Sequence, residues 1–142
     1  MEDQNFKNHA KMVPGFHYLT LPAILIFLIA SVNYFIQSSA ENKYLGACLC
    51  LLSVIVFLLA WYARGFALKA QDRAIRAEEN FRYYLATGKV FPKELRMGQI
   101  IALRFASDDE FVALTAKAIA ENLSNKQIKE SVKNWKADHN RA

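Results

Sequence analysis

At 142 residues the chain has room for one small folded unit beside any membrane-spanning part. It is 54% apolar and 22% charged, and its formal charge of +5 lies wholly from Arg64 onward, where 15 Lys/Arg stand against 10 Asp/Glu. The only cysteines are Cys48 and Cys50, two positions apart in an apolar run. On a helix they project ~200° away from each other, which excludes an intrachain disulfide or a metal clamp without unwinding.

Residues 1–17 form a polar lead-in with scattered apolar groups, Phe6, Met12, Val13 and Phe16, and Pro14-Gly15 reads as a turn. Two uncharged stretches follow, residues 18–40 and residues 44–63. At 1.5 Å per residue they reach ~34 Å and ~30 Å, enough for a hydrocarbon core of ~30 Å. The expected spans are about 18–38 and 44–63, with only residues 38–43 to connect them, so a tight transmembrane hairpin is predicted. Thr20 is placed to cap the first span, with Pro22 in its first turn. Tyr18, Tyr34, Tyr44, Trp61 and Tyr62 fall near the span ends, where interfacial aromatics concentrate. A cleaved signal peptide is the competing reading of the first stretch, but the apolar run is about twice the usual length and 17 residues precede it. Basic residues flank the outer ends, with Lys7 and Lys11 before the first span and Arg64, Lys69, Arg73, Arg76 and Arg82 after the second. The connection holds Lys43 balanced by Glu41, so both termini are expected in the cytoplasm.

The second helix is expected to continue past the membrane as a stalk over residues 64–88. Asp72 with Arg76 and Glu78 with Arg82 are acid-to-base pairs four residues apart, and Gly88 supplies a left-handed stop. A module over residues 89–142 follows, with three short helices at about 98–106, 108–122 and 125–138. Ser107 with Glu110 and Ser124 with Gln127 fit capping boxes ahead of the last two.

Small residues mark the second helix. Gly46, Ser53 and Ala60 are spaced by seven, and Ala60, Ala63, Ala67, Ala70, Ala74 and Ala77 form an alternating 3-4 stripe continued by Phe81 and Tyr84. Small faces let helices approach closely in lipid. Ala23, Ala30 and Gln37 repeat the same spacing on the first span. Pairing Ala23 with Ala60, Ala30 with Ser53 and Gln37 with Gly46 keeps one antiparallel register, which also sets Asn33 opposite Cys50 and turns both amides inward, away from lipid. Ala67, Ala70, Ala74, Ala77, Phe81 and Tyr84 are the residues expected to carry association outside the membrane. The plainer alternative is that alanine is simply a good exposed helix former.

Lys126, Lys129, Lys133 and Lys136 would make one basic face of a last helix, either solvated or in contact with lipid headgroups or another anion. A DNA-reading pair of helices is disfavoured, since the last helix offers lysines but no Arg or Gln constellation beyond Gln127. His9, His17 and His139 share no helical-turn spacing, so no metal site is expected. Nothing places a nucleophile, no phosphate loop occurs, and neither span contains an acid or base, so no catalytic residue, cofactor or small-molecule substrate is expected and autonomous transport is disfavoured.

Residues 4–9 (QNFKNH) and 13–17 (VPGFH) resemble a family of small bacterial membrane proteins of unknown function. So do residues 71–79 (QDRAIRAEE), 101–110 (IALRFASDDE) and 133–138 (KNWKAD), and the resemblance covers nearly the whole chain. It implies a bacterial inner-membrane location and two spans, and carries no activity, ligand or site residue.

The expected architecture is an all-α membrane protein: a two-helix hairpin, a stalk continuous with the second helix, and a cytoplasmic bundle of three short helices. The expected role is a non-enzymatic anchored interaction or scaffold protein, self-associating or part of a larger membrane complex. The alternatives are a membrane-tethered nucleic-acid binder and a small oligomeric channel or transport subunit.

Overall fold

A computed structural model describes residues 5–6 and 12–138. The readings made for Lys7, His9, Lys11 and His139 lie outside the described residues. The chain divides into two compact units, Met12–Ala67 and the chain from Leu68 onward, with Asn5 and Phe6 grouped with the latter. The described residues are all-α, with a single isolated β-bridge.

In the first unit, a π-helical stretch Gly15–Thr20 leads directly into α1 (Leu21–Gln37). The turn expected at Pro14-Gly15 is replaced by helix, because Pro14 already has helical backbone angles (φ −57°, ψ −47°), as a proline at a helix start readily does. Pro22 accounts for the widened stretch: it has no N–H to donate to the turn before it, and its ring crowds the carbonyl four residues back. Thr20 therefore caps nothing, and its hydroxyl donates to the Gly15 carbonyl at 3.1 Å. α1 ends where Ser38 turns extended, and a 3-10 turn Ala40–Asn42 leads to α2 (Lys43–Thr87). The Lys43 ammonium donates to the carbonyls of Phe35 (2.6 Å) and Ile36 (3.0 Å), placing a cation on the open carbonyls at the end of α1.

α2 stops at Gly88, whose φ of +70° is easy for glycine and whose N–H donates to the Tyr84 carbonyl at 2.7 Å. From Leu68 on, α2 belongs to the same unit as α3 (Met97–Leu103), α4 (Asp108–Ala120) and α5 (Asn125–Ser131). The expected stalk is thus part of a folded core. Ile75 is buried with Leu95, Ile100, Leu103, Phe111, Leu114, Ile128 and Val132, and Tyr83, Phe91 and Trp135 pack at its margin. Gln99 is buried but satisfied: its amide donates to the carbonyls of Ala118 (3.2 Å) and Leu123 (3.0 Å) and accepts from the Arg96 N–H (2.9 Å).

Two local expectations are corrected. The last helix ends at Ser131, not near Asp138; residues 132–138 are non-helical, bending at 133–134, with Trp135 bridged antiparallel to Ala106. The Ser107 N–H donates to Asn134, the Lys136 N–H donates to Phe105, and the Trp135 ring packs 4.9 Å from Phe105. The Glu110 carboxylate, expected to reach back to Ser107, instead accepts the backbone N–H groups of Lys133 (3.1 Å) and Asn134 (3.0 Å). The Ser107 hydroxyl is left buried without a partner among the described residues. The second capping box forms as its sequence reads, the Ser124 N–H donating to Gln127 Oε1 at 2.8 Å and the Gln127 N–H to Ser124 Oγ at 3.4 Å.

Candidate interaction surface

The first unit is packed inside out. Its buried residues are Ile24, Ser31, Gly46 and Ser53, while Leu25, Ile26, Ile29, Leu51, Ile55, Leu59 and Trp61 are exposed. α1 and α2 meet where Ser31 Oγ lies 3.2 Å from Ser53 Oγ. The Ser53 hydroxyl donates to the Cys50 carbonyl at 2.7 Å, and the single Ser31 proton has Ser53 Oγ and the Leu28 carbonyl (2.9 Å) as alternative acceptors. At Gly46 the approach is closer still, since a Cβ there would lie 2.9 Å from Phe35 Cα.

The positions expected from the seven-residue spacing divide between the two helices. Gly46 and Ser53 are buried and Ala60 is half-buried. Ala23, Ala30, Asn33 and Gln37 are exposed, so α1 presents a face displaced by one residue, with Ile24 and Ser31 in place of Ala23 and Ala30. Two small hydroxyl side chains within hydrogen-bond distance, each also within reach of a carbonyl of its own helix, explain that choice. The inward turn expected of the amides is corrected too: the Gln37 amide donates to Asn33 Oδ1 at 2.7 Å, a local pairing that needs no partner helix. Ile24, Ser31 and Ser38 share the seven-residue spacing, so the signal for the observed face was present in the sequence beside the one chosen. Cys48 is exposed and Cys50 half-buried, and both are free thiols.

In the second unit the residues expected to carry association, Ala70, Ala74, Ala77, Phe81 and Tyr84, are all exposed, as is Ala67 at the end of the first unit. The core is covered instead by the other side of α2, where Ile75 and Glu79 are buried and Arg82 and Tyr83 half-buried. Sequence reasoning missed the ionic cluster on that side. Arg82 does not pair with Glu78. It donates to Glu79 Oε2 (3.0 Å), Asp108 Oδ1 (2.6 Å) and the Ala106 carbonyl (2.8 Å), and its guanidinium stacks 4.1 Å from the Phe111 ring centre. The pattern Glu79–Arg82 at three residues was legible, but Asp108 and Ala106 lie 26 and 24 positions away.

The four lysines do not share a helical face. Lys126 and Lys129 lie on α5, Lys133 and Lys136 beyond it. Lys126 is 3.8 Å from Glu130, and the Lys129 ammonium lies 5.6 Å from the Phe105 ring centre. Lys133 and Lys136 line an open cleft with Ser107, Asp108 and Trp135. Among the described residues no group of three or more His, Cys, Asp or Glu could hold a metal ion.

The described chain is thus an all-α protein in which two helices, Gly15–Gln37 and Ala40–Thr87, contain stretches long and apolar enough to cross a membrane. It belongs to a family of unknown function, DUF6526, whose model matches residues 1–142. No curated protein and no solved structure matches it.

Proposed function

We propose that this protein is a non-enzymatic, membrane-anchored interaction or scaffold protein of the bacterial cytoplasmic membrane. In this reading residues 18–63 cross the bilayer as a hairpin with both termini inside, and the unit from Leu68 onward is a cytoplasmic docking module. The observation that carries the reading is the inside-out packing of the first unit, with serines and a glycine at the helix contact and large apolar side chains outside. In water so large an exposed apolar surface is rare; in lipid it is the preferred arrangement, with small residues at the contact. The charge of the chain supports the orientation, because the basic excess follows the second span. Its partners are the bilayer, further copies of itself or a larger membrane complex.

Reporter fusions at Ser39 and Ala142 test the topology. Activity of a periplasm-dependent reporter is expected at Ser39 only, and of a cytoplasm-dependent one at Ala142 only. Both positions reporting the same side would rule out the paired crossing.

A further inference from the structure

The face of α2 opposite the core has the spacing of a coiled-coil seam. Ala70, Ala74, Ala77, Phe81 and Tyr84 follow one another at 4, 3, 4 and 3 residues, the a and d positions of a heptad. All five are exposed, Phe81 at 61% and Tyr84 at 50%, and Leu85 beside them is 70% exposed. Three large apolar side chains on adjoining turns form a patch of the kind that marks an interface.

The flanks of the seam identify the occupant. With Ala74 at a and Ala77 at d, Arg73 falls at g and Glu78 at the next e, and both are exposed. In a parallel pair of identical helices each g residue faces the e residue of the following heptad on the other strand. Arg73 of each copy then meets Glu78 of the other, twice by symmetry. Glu78 is available for this because Arg82, its expected partner four residues on, is taken up by Glu79, Asp108 and the Ala106 carbonyl. An antiparallel pair sets g against g and e against e, which brings like charges together.

We propose that this face of α2 seats a second copy of the chain in a parallel, two-fold coiled coil over residues 70–85. The proposal rests on the membrane-anchored reading, since two copies inserted with one topology present α2 in the same direction. Alanine at a and d brings the two helices close together, and Phe81 and Tyr84 close the far end of the seam.

Cross-linking of the full chain in its native membrane is the test, with Cys48→Ser and Cys50→Ser as background. Ala74→Cys and Ala77→Cys are expected to give a disulfide-linked dimer on mild oxidation, and Arg76→Cys, on the outer side of the helix, only background. On the Ala77→Cys chain, Arg73→Glu sets glutamate against Glu78 and is expected to lower the dimer yield roughly tenfold, by replacing two attractions with two repulsions. Arg73→Glu with Glu78→Arg is expected to restore it. Equal cross-linking at all three positions, none at the seam, or no rescue by the double swap would overturn the proposal. In each of those cases a chain that still resists carbonate extraction leaves the anchored reading standing, whereas its release into the supernatant removes both.

Discussion

Arg82→Ala is expected to destabilise the unit from Leu68 onward by about 3–5 kcal/mol, the cost of removing one partner from a buried ion pair. The Arg82 and Glu79 side chains are 14% and 10% exposed, and their contact is 3.0 Å. Without the guanidinium, the Glu79 carboxylate stays in the core with no cation, and the Ala106 carbonyl loses its donor. Phe111, only 1% exposed, loses the planar group stacked on it. Asp108 contributes little to the loss, because its side chain is 83% exposed and water replaces the arginine. Arg82→Lys keeps the charge but not the fork that reaches three acceptors, so it is expected to recover only part of the stability. Replacing Arg82 and Glu79 together by leucine should cost less than Arg82→Ala alone, because no charge is left buried. Hydrogen exchange of the α3–α5 amides in the full chain reads these differences. An Arg82→Ala chain within about 1 kcal/mol of the parent, the scale of a surface pair, would mean that the cluster is not part of the core.

The second large effect is expected between α1 and α2. Gly46→Leu must displace the Phe35 backbone, because even a Cβ would lie 2.9 Å from Phe35 Cα. Overpacking of this kind costs ~1–3 kcal/mol, and here it also pulls Ser31 away from Ser53. Ala30→Leu, by contrast, adds bulk to an exposed position and should be tolerated. Closure of an engineered Ser31→Cys/Ser53→Cys disulfide, with Cys48 and Cys50 replaced by serine, measures the approach, since the two hydroxyl oxygens are 3.2 Å apart. It is expected to close readily in the parent and in Ala30→Leu, and poorly in Gly46→Leu. Equal closure in Gly46→Leu, or loss of closure in Ala30→Leu, would put the contact on another face.

What the sequence made legible was governed by local rules. Uninterrupted apolar length marked both long helices, Gly88 marked the end of α2, and the Ser124–Gln127 box marked the start of α5. The contact face of α2 could be read because Gly46 and Ser53 stand out among leucines. That of α1 was misplaced by one residue, because Ala23/Ala30 and Ile24/Ser31 carry the same spacing and only the partner helix distinguishes them. The end of α5 was misread for a different reason: residues 132–138 look helical locally, but Glu110 takes the N–H groups of Lys133 and Asn134, and Trp135 finds Phe105. The basic face expected of Lys126, Lys129, Lys133 and Lys136 depended on that helix and is lost with it. Arg82 shows the same limit, since a pairing four residues away is visible in a string of letters and one 26 residues away is not.

Alkaline carbonate extraction of membranes carrying the full chain, followed by flotation of the pellet with lipid on a density gradient, tests most directly whether hydrocarbon surrounds residues 18–63. The intact chain is expected to stay in the pellet and float with the vesicles. Recovery of the intact chain in the supernatant, or in a pellet that sediments without lipid, would contradict the account.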